Sequence, residues 1–193
     1  DAMPCARVPM PTPVDIVERS GCDLSPLDVT RPEDRLTLAS YVWGDDLPRF
    51  ERLRSAFVLA HRIPATVRKM SAGEYLTMLA HSDPVPGKTL VIWQSATWFY
   101  LDRPARVELR SAIRKLANRA GPTTPVVHVS WEWKRDSPDP ARSYALVGRS
   151  WPAAGAWAPW RAGTSVQLGS GSAHGMPMRW TEPKPLSSDP LEI

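Results

Sequence analysis

The sequence predicts an α/β protein built on a mostly parallel sheet, with an antiparallel edge formed by its C-terminal part. Strand-like and helical segments alternate as far as residue 131, which is typical of crossover connections between parallel strands. The segments 89–93 and 125–131 are continuously apolar, as strands buried on both faces are. After about residue 135, strand-like segments follow one another with no helix between them.

Two short strands and three helices are predicted in the first part of the chain. The first strand lies within 15–23, and a capping box with a proline in its first turn starts a helix at 30–33. A second helix starts near Asp46, because apolar residues then recur at helical spacing. A short strand is predicted at 66–70, and a second capping box at 71–74 opens the third helix.

The longest predicted helix and the strands of the C-terminal ribbon follow. The helix starts at Asp102 and Pro104, between the two apolar strands. Its buried stripe consists of Leu109, Ile113, Leu116 and Ala120. Strands at 144–147 and 165–168 then form an antiparallel ribbon at the edge of the sheet.

The predicted organisation is a single domain with an extended segment at each end. Residues 1–13 contain four prolines, which exclude both a helix and a central strand, so they form an extended arm. The domain covers 14–180, and 181–193 form an extended tail. The sequence shows no internal repeat and no second domain.

Charge and cysteine content set limits on partners and compartment. The net charge is +4, and 19 of the 24 basic residues are arginine, but 20 acidic residues are spread among them without a dense basic run. Binding to nucleic acid is therefore not expected. Cys5 and Cys22 are the only cysteines, no apolar run is long enough to span a membrane, and a cytoplasmic location with free thiols is predicted. Cysteine and histidine spacing indicates no metal site.

The long helix carries arginines at spacings of three and four residues. They are Arg103, Arg106, Arg110 and Arg114. Such a stripe is either a helix face exposed to solvent or a surface that binds successive phosphates of a nucleic acid. We expect the solvent-exposed face.

Candidate site residues lie where predicted strands end. Asp23 ends the first strand, where an acidic residue can accept ribose hydroxyls or form a turn with its own backbone. The segment 93–101 leaves the strongest strand with polar and aromatic residues that line a pocket or pack into the core. Its substrate candidates are Trp98 and Tyr100, and His174 in a later loop is a third. His128 lies between valines and is expected to be a satisfied core or edge residue.

Four stretches together resemble a family of proteins. They are Gly21–Asp28, Leu36–Trp43, Val91–Leu101, and His174–Gly175 together with Trp180. Over residues 17–180 the chain is similar to an uncharacterised actinobacterial family whose fold resembles class I S-adenosylmethionine-dependent methyltransferases. The resemblance implies a Rossmann-like sheet and S-adenosylmethionine as the cofactor. Nucleophilic catalysis is not indicated, because the serines near residue 170 lack a strand-to-helix elbow.

The resemblance assigns cofactor contacts to five residues. Asp23 corresponds to the acidic residue that contacts the ribose, and Ser71 occupies the place of an acidic residue that meets the adenine. Trp93, Gln94 and Ser95 fall beside the place of methyl transfer, with Gln94 where histidine is common. Ser71 has no carboxylate, so adenine recognition differs from the family pattern.

The family's first strand and its glycine turn have no counterpart in the sequence. The chain is therefore expected to be the C-terminal portion of a methyltransferase-like protein, of unknown substrate and inactive by itself. Its expected partner is a polypeptide that supplies the first strand, or a second copy of the chain. The alternative is a non-catalytic binding or assembly module on a degenerate methyltransferase scaffold.

Overall fold

A computed structural model describes residues 13–134, 143–153, 161–173 and 178–187. The chain divides into two compact units, one extending to Tyr75 and the other beginning at Leu76. Apart from Pro13, the predicted N-terminal arm lies outside the described residues.

The unit that ends at Tyr75 contains a parallel pair of short strands. Strand β1 (Ser20–Asp23) pairs with β2 (Thr66–Lys69), and helices α1 (Pro32–Ser40) and α2 (Leu47–Arg62) form the connection between them. Helix α3 (Ala72–His81) begins in this unit and continues into the next. The order strand, helix, helix, strand, helix agrees with the sequence prediction.

Of the two capping boxes predicted at the starts of α1 and α3, the structure forms one. Ser71 and Glu74 form the predicted capping box: the Glu74 carboxylate accepts from the Ser71 amide at 2.9 Å, and the Ser71 hydroxyl accepts from the Glu74 amide at 3.2 Å. The capping box expected at 30–33 is wrong. Arg31 is the residue that precedes α1, and it caps without a side-chain hydrogen bond, while the Glu33 carboxylate pairs with the Arg31 guanidinium.

The unit that begins at Leu76 contains a five-stranded sheet. Strand β3 (Leu90–Ser95), a 3-10 turn (Trp98–Tyr100), α4 (Arg103–Asn118) and β4 (Val126–Trp133) form a parallel crossover unit. Three further strands follow: β5 (Tyr144–Trp151), β6 (Val166–Gly171) and β7 (Arg179–Pro185). The sheet has the order β3-β4-β5-β6-β7.

The prediction of a mostly parallel sheet is wrong for this unit. Only β3 and β4 are parallel, and the other three pairings are antiparallel. Strands β4 to β7 are neighbours in both sequence and space, and each reverses the direction of the previous one. A Rossmann-like sheet is not formed in the described residues, because β1·β2 and β3–β7 are separate sheets. The tail predicted from residue 181 begins inside β7.

The core of the second unit includes one face of α4. Leu109, Ile113 and Leu116 are buried as predicted, whereas Ala120 lies beyond the helix and is half-buried. The Asp102 carboxylate accepts from the Ala105 amide at 2.9 Å and fixes the start of α4. Strands β3 to β6 complete the core with Ile92, Val126, Val147 and Val166.

Candidate functional site

The carboxyl ends of β1 and β2 bring two of the predicted cofactor residues to one edge. The Asp23 carbonyl accepts from the Met70 amide at 3.1 Å, so Ser71 follows directly after a residue bonded to Asp23. The Asp23 carboxylate Oδ1 also accepts from the Ser25 amide at 2.7 Å. This turn fixes one oxygen of an exposed carboxylate at the end of the strand.

Ser71 has a structural role in the first turn of α3. Its hydroxyl and its amide are both used in the capping box with Glu74. The hydrogen bond from the Ser71 amide is the main cause that lowers the pKa of the Glu74 carboxyl, because it stabilises the charged form. Any adenine contact by Ser71 would therefore compete with the helix cap.

The three predicted residues of β3 point in alternate directions. Trp93 and Ser95 are exposed, whereas Gln94 is buried. Gln94 Nε2 donates to Glu132 Oε1 at 2.9 Å, and Gln94 Oε1 lies 3.0 Å from His128 Nε2. Both ends of the Gln94 amide are therefore hydrogen-bonded inside the protein.

A chain of buried hydrogen bonds extends from Gln94 across three strands. Arg149 Nη1 lies 3.1 Å from His128 Nδ1, and Arg149 Nε donates to the Ser165 hydroxyl at 2.8 Å. A guanidinium can only donate, so His128 accepts at Nδ1 and carries its proton on Nε2, from which it donates to Gln94. Burial, and then the Arg149 charge, lower the pKa of His128 to about 3. His128 is thus neutral, buried and hydrogen-bonded at both ring nitrogens, in agreement with the expectation of a satisfied core or edge residue.

Glu132 forms the other end of this network and holds the turn after β3. Its Oε1 also accepts from the backbone amides of Thr97 at 3.0 Å and Trp98 at 3.2 Å. Neither Glu132 nor Arg149 is predicted as a site residue from the sequence. The signal that reveals the network is His128, Ser130 and Glu132 at alternate positions of an apolar strand, which places all three on one face.

The two aromatic substrate candidates have different surroundings. Trp98 is buried, with the guanidinium groups of Arg106 and Arg110 at 5.3 and 4.9 Å from its ring centroid. Arg106 Nε also donates to the Trp98 carbonyl at 3.2 Å. Tyr100 is exposed and packs edge-to-face against Phe99, with ring centroids 4.8 Å apart. Of these two rings, that of Tyr100 is therefore the one exposed at the surface.

The arginine stripe of α4 is not one solvated face. Arg103 and Arg114 are exposed, as expected, but Arg106 and Arg110 are half-buried against Trp98. The aromatic ring therefore stabilises two of these cations, and the sequence spacing alone did not show it.

The remaining predictions of sites concern a loop, the cysteines and metals. His174 and Cys5 lie outside the described residues. The thiol of Cys22 is half-buried, and burial, followed by the Asp23 charge, raises its pKa. The described residues contain no group of three or more potential metal ligands. Within the same part of the chain, no helix is sufficiently long and apolar to cross a bilayer.

The fold and these side chains define an α/β protein whose five-stranded mixed sheet contains a buried polar network. The sequence profile of a family described as "uncharacterized protein conserved in bacteria (DUF2332)" matches residues 2–180. The chain therefore belongs to the DUF2332 family. No curated protein and no solved structure gives a significant match.

Proposed function

We propose that this DUF2332 protein contributes the adenosine-binding edge of a methyltransferase-like site for S-adenosylmethionine, at the carboxyl ends of β1 and β2. The observation that carries the proposal is the Asp23 carboxylate, which the Ser25 amide fixes at the end of a parallel strand. Ligands of α/β sheets bind at these strand ends, and a carboxylate there can accept both hydroxyls of a ribose.

The second support is the connection between Asp23 and the start of α3. The bond from the Met70 amide to the Asp23 carbonyl places the carboxylate beside the strand that leads into this helix. An adenosine whose ribose binds Asp23 would reach Ser71 at the helix start. Methyl transfer between bound groups depends more on their positioning than on acid–base catalysis, so Asp23 and Ser71 need no acid–base role.

The affinity of the 193-residue chain for the cofactor is expected to be weak. None of the described connections from a strand to a helix, at 24–31, 70–71 and 96–102, contains a glycine. Backbone amides of a glycine-rich turn are what hold the polar end of a nucleotide in many α/β proteins. Asp23 and its neighbours would therefore bind mainly the adenosine half.

Amide chemical shifts measured by NMR during titration with S-adenosylmethionine test the proposal. We expect shifts at Asp23, Ser25 and Ser71, with a dissociation constant weaker than micromolar. Asp23→Asn should abolish them. Asp28→Asn is the matched control, because Asp28 Oδ1 accepts from the Thr30 amide in the same kind of turn. An absence of shifts at saturating cofactor, or equal binding by Asp23→Asn, would contradict the proposal.

A second candidate function is a non-catalytic binding or assembly role on the same scaffold. Gln94 favours it, because the residue that the resemblance places beside methyl transfer uses both amide atoms in the core. On this view Gln94→Leu lowers the free energy of unfolding and leaves the shifts at Asp23 unchanged. Unchanged stability of Gln94→Leu would contradict this view.

A further inference from the structure

The turn that follows β3 contains a strained residue. Ala96 has a φ of 51°, and no other non-glycine residue in the described part of the chain has a positive φ. Its Cβ disfavours this left-handed conformation, so the residue keeps it only where surrounding contacts enforce it. The Ala96 amide donates to the Trp131 carbonyl at 2.8 Å, which fixes one side of the residue to β4. The other side is fixed through the residues that come next.

One oxygen of Glu132 holds the backbone after Ala96. Oε1 accepts from the amides of Thr97 at 3.0 Å and Trp98 at 3.2 Å, and also from Gln94 Nε2 at 2.9 Å. A carboxylate oxygen has two lone pairs, so three donors share them, and the two backbone bonds are the longer ones. The bonds to Oε1 therefore oppose the strain at Ala96, and they are neither short nor exclusive.

The segment that follows keeps its shape through bonds of its own. The Tyr100 amide donates to the Thr97 carbonyl at 3.0 Å, and the Leu101 amide donates to the Trp98 carbonyl at 3.3 Å. These bonds close a 3-10 turn without any contribution from β4. We call residues 96–101 the strap. Because its shape is independent of β4, the strap can rotate about its first residue as one piece.

The strap has a buried part and an exposed part. The Trp98 side chain is 8% exposed, whereas Phe99 and Tyr100 are 65% and 79% exposed. Glu132, to which the strap is bonded, is buried near the carboxyl end of β4. A rotation about Ala96 therefore withdraws the Trp98 indole and both amides from Glu132 in one movement, and it opens the carboxylate to solvent.

We propose that the strap is a lid with two positions. In the bound position, Glu132 holds Ala96 at its positive φ. In the released position, Ala96 relaxes and the Glu132 carboxylate faces solvent. The Arg106 guanidinium, which is bonded to the Trp98 carbonyl, ends a flexible side chain and can follow the movement. Release gives access to the carboxyl ends of β3 and β4, where ligands of α/β sheets bind. The inference holds for either candidate function.

Native-state hydrogen exchange followed by NMR tests the proposal. The amides of Thr97 and Trp98 are free of Glu132 in the released position, whereas the Ile92 amide, in the middle of β3, becomes free only when the sheet unfolds. We expect Thr97 and Trp98 to exchange at least about tenfold faster than Ile92. Low concentrations of urea should accelerate exchange at Ile92 and have little effect at Thr97 and Trp98, because release exposes little surface.

Ala96→Gly tests the strain, because glycine adopts a positive φ without a steric cost. We expect exchange at Thr97 and Trp98 to be slower by about twofold to fivefold. Ala117→Gly is the matched control, since Ala117 lies in helix α4 and glycine there destabilises the fold. The control should accelerate exchange at Ile92 and leave the rates at Thr97 and Trp98 unchanged.

Glu132→Gln tests the hold on the strap. The variant keeps an oxygen acceptor and loses the charge, so exchange at Thr97 and Trp98 should be about tenfold faster. The proposal is wrong if Ala96→Gly leaves exchange at these two amides unchanged or faster. It is also wrong if they exchange at the rate and with the urea dependence of Ile92, because the strap then opens only with the sheet, or if Glu132→Gln has no effect on them.

Discussion

Gln94 and Glu132 are 38 positions apart in the sequence, and their side chains meet inside the sheet at 2.9 Å. The Gln94 amide donates to Glu132 and accepts from His128, which in turn accepts from Arg149. Because Arg149 cannot accept and Glu132 Oε1 accepts from Gln94, every donor in this series of hydrogen bonds points from the guanidinium towards the carboxyl group of Glu132. Arg149 and Glu132 are thus joined through the side chains of His128 and Gln94, which fixes the orientation of both.

The neutral state of His128 predicts a pH dependence of stability. Its pKa is about 3 in the folded protein and near 6.5 when unfolded, so the unfolded chain binds this proton more strongly. Stability attributable to His128 is therefore complete above about pH 6.5 and falls as the pH drops towards 3. Between about pH 6.5 and 4.5 we expect a loss of about 2 kcal/mol in the free energy of unfolding.

Urea denaturation across this pH range measures the effect. In His128→Gln the part of the pH dependence of the free energy of unfolding that His128 causes should be absent, although the variant is less stable near neutral pH. Exposed His81, whose ring lies 2.8 Å from the Thr77 carbonyl, provides the control His81→Gln, which should retain the wild-type slope. An unchanged pH dependence in His128→Gln would show that His128 binds its proton equally well in the folded and the unfolded protein, contrary to this prediction.

Removal of the Glu132 side chain should strongly destabilise the protein. Glu132→Ala leaves three donors without their acceptor, on Gln94, Thr97 and Trp98. Unpaired buried donors cost about 1–3 kcal/mol each, so we expect a loss of at least about 3 kcal/mol. Glu132→Gln retains a carbonyl oxygen and should lose only about 1–2 kcal/mol. Equal losses for the two variants in chemical denaturation would refute this role of Oε1.

Two arginines of α4 should differ in their contribution to stability. Arg106 covers the Trp98 ring and donates to its carbonyl, so Arg106→Glu should cost about 1–2 kcal/mol. Arg114 is exposed on the same helix, and Arg114→Glu should change stability by less than about 0.5 kcal/mol. Thermal unfolding of both variants under identical conditions provides the comparison. If both arginines simply belong to a solvated face, the two melting temperatures will agree.

Local signals were sufficient to predict most of the elements. The Ser71–Glu74 capping box and the Asp102 cap involve residues only three positions apart, so the sequence contains both partners of each bond. The apolar stripe of α4 and the apolar run of β3 likewise follow from periodicity along one segment. The helix start near residue 31 was misplaced by one position, because Glu33 pairs with Arg31 instead of capping.

The direction of the later strands required more than local signals. An apolar strand has the same composition whether its neighbour is parallel or antiparallel, and the run that became β4 was predicted as part of a mostly parallel sheet. Its antiparallel pairing with β5 places Trp133 opposite Tyr144 and Val126 opposite Trp151, and this direction belongs to the two strands together and not to either one. Strand β7 was divided between the predicted domain and tail, because its charges and prolines resemble those of a loop.

At the candidate site, the residue types at the strand ends follow from the sequence, whereas their exposure to a ligand depends on contacts between strands that are distant in the sequence. The turn at Asp23 depends on a neighbour two positions away and was foreseen as one of two alternatives. The engagement of Gln94 depends on residues 34 and 38 positions away in the sequence. The register between the paired strands determines which side chains meet Gln94, and no single segment of the sequence specifies that register. Register therefore places Gln94 in the core, while Asp23 remains at the surface.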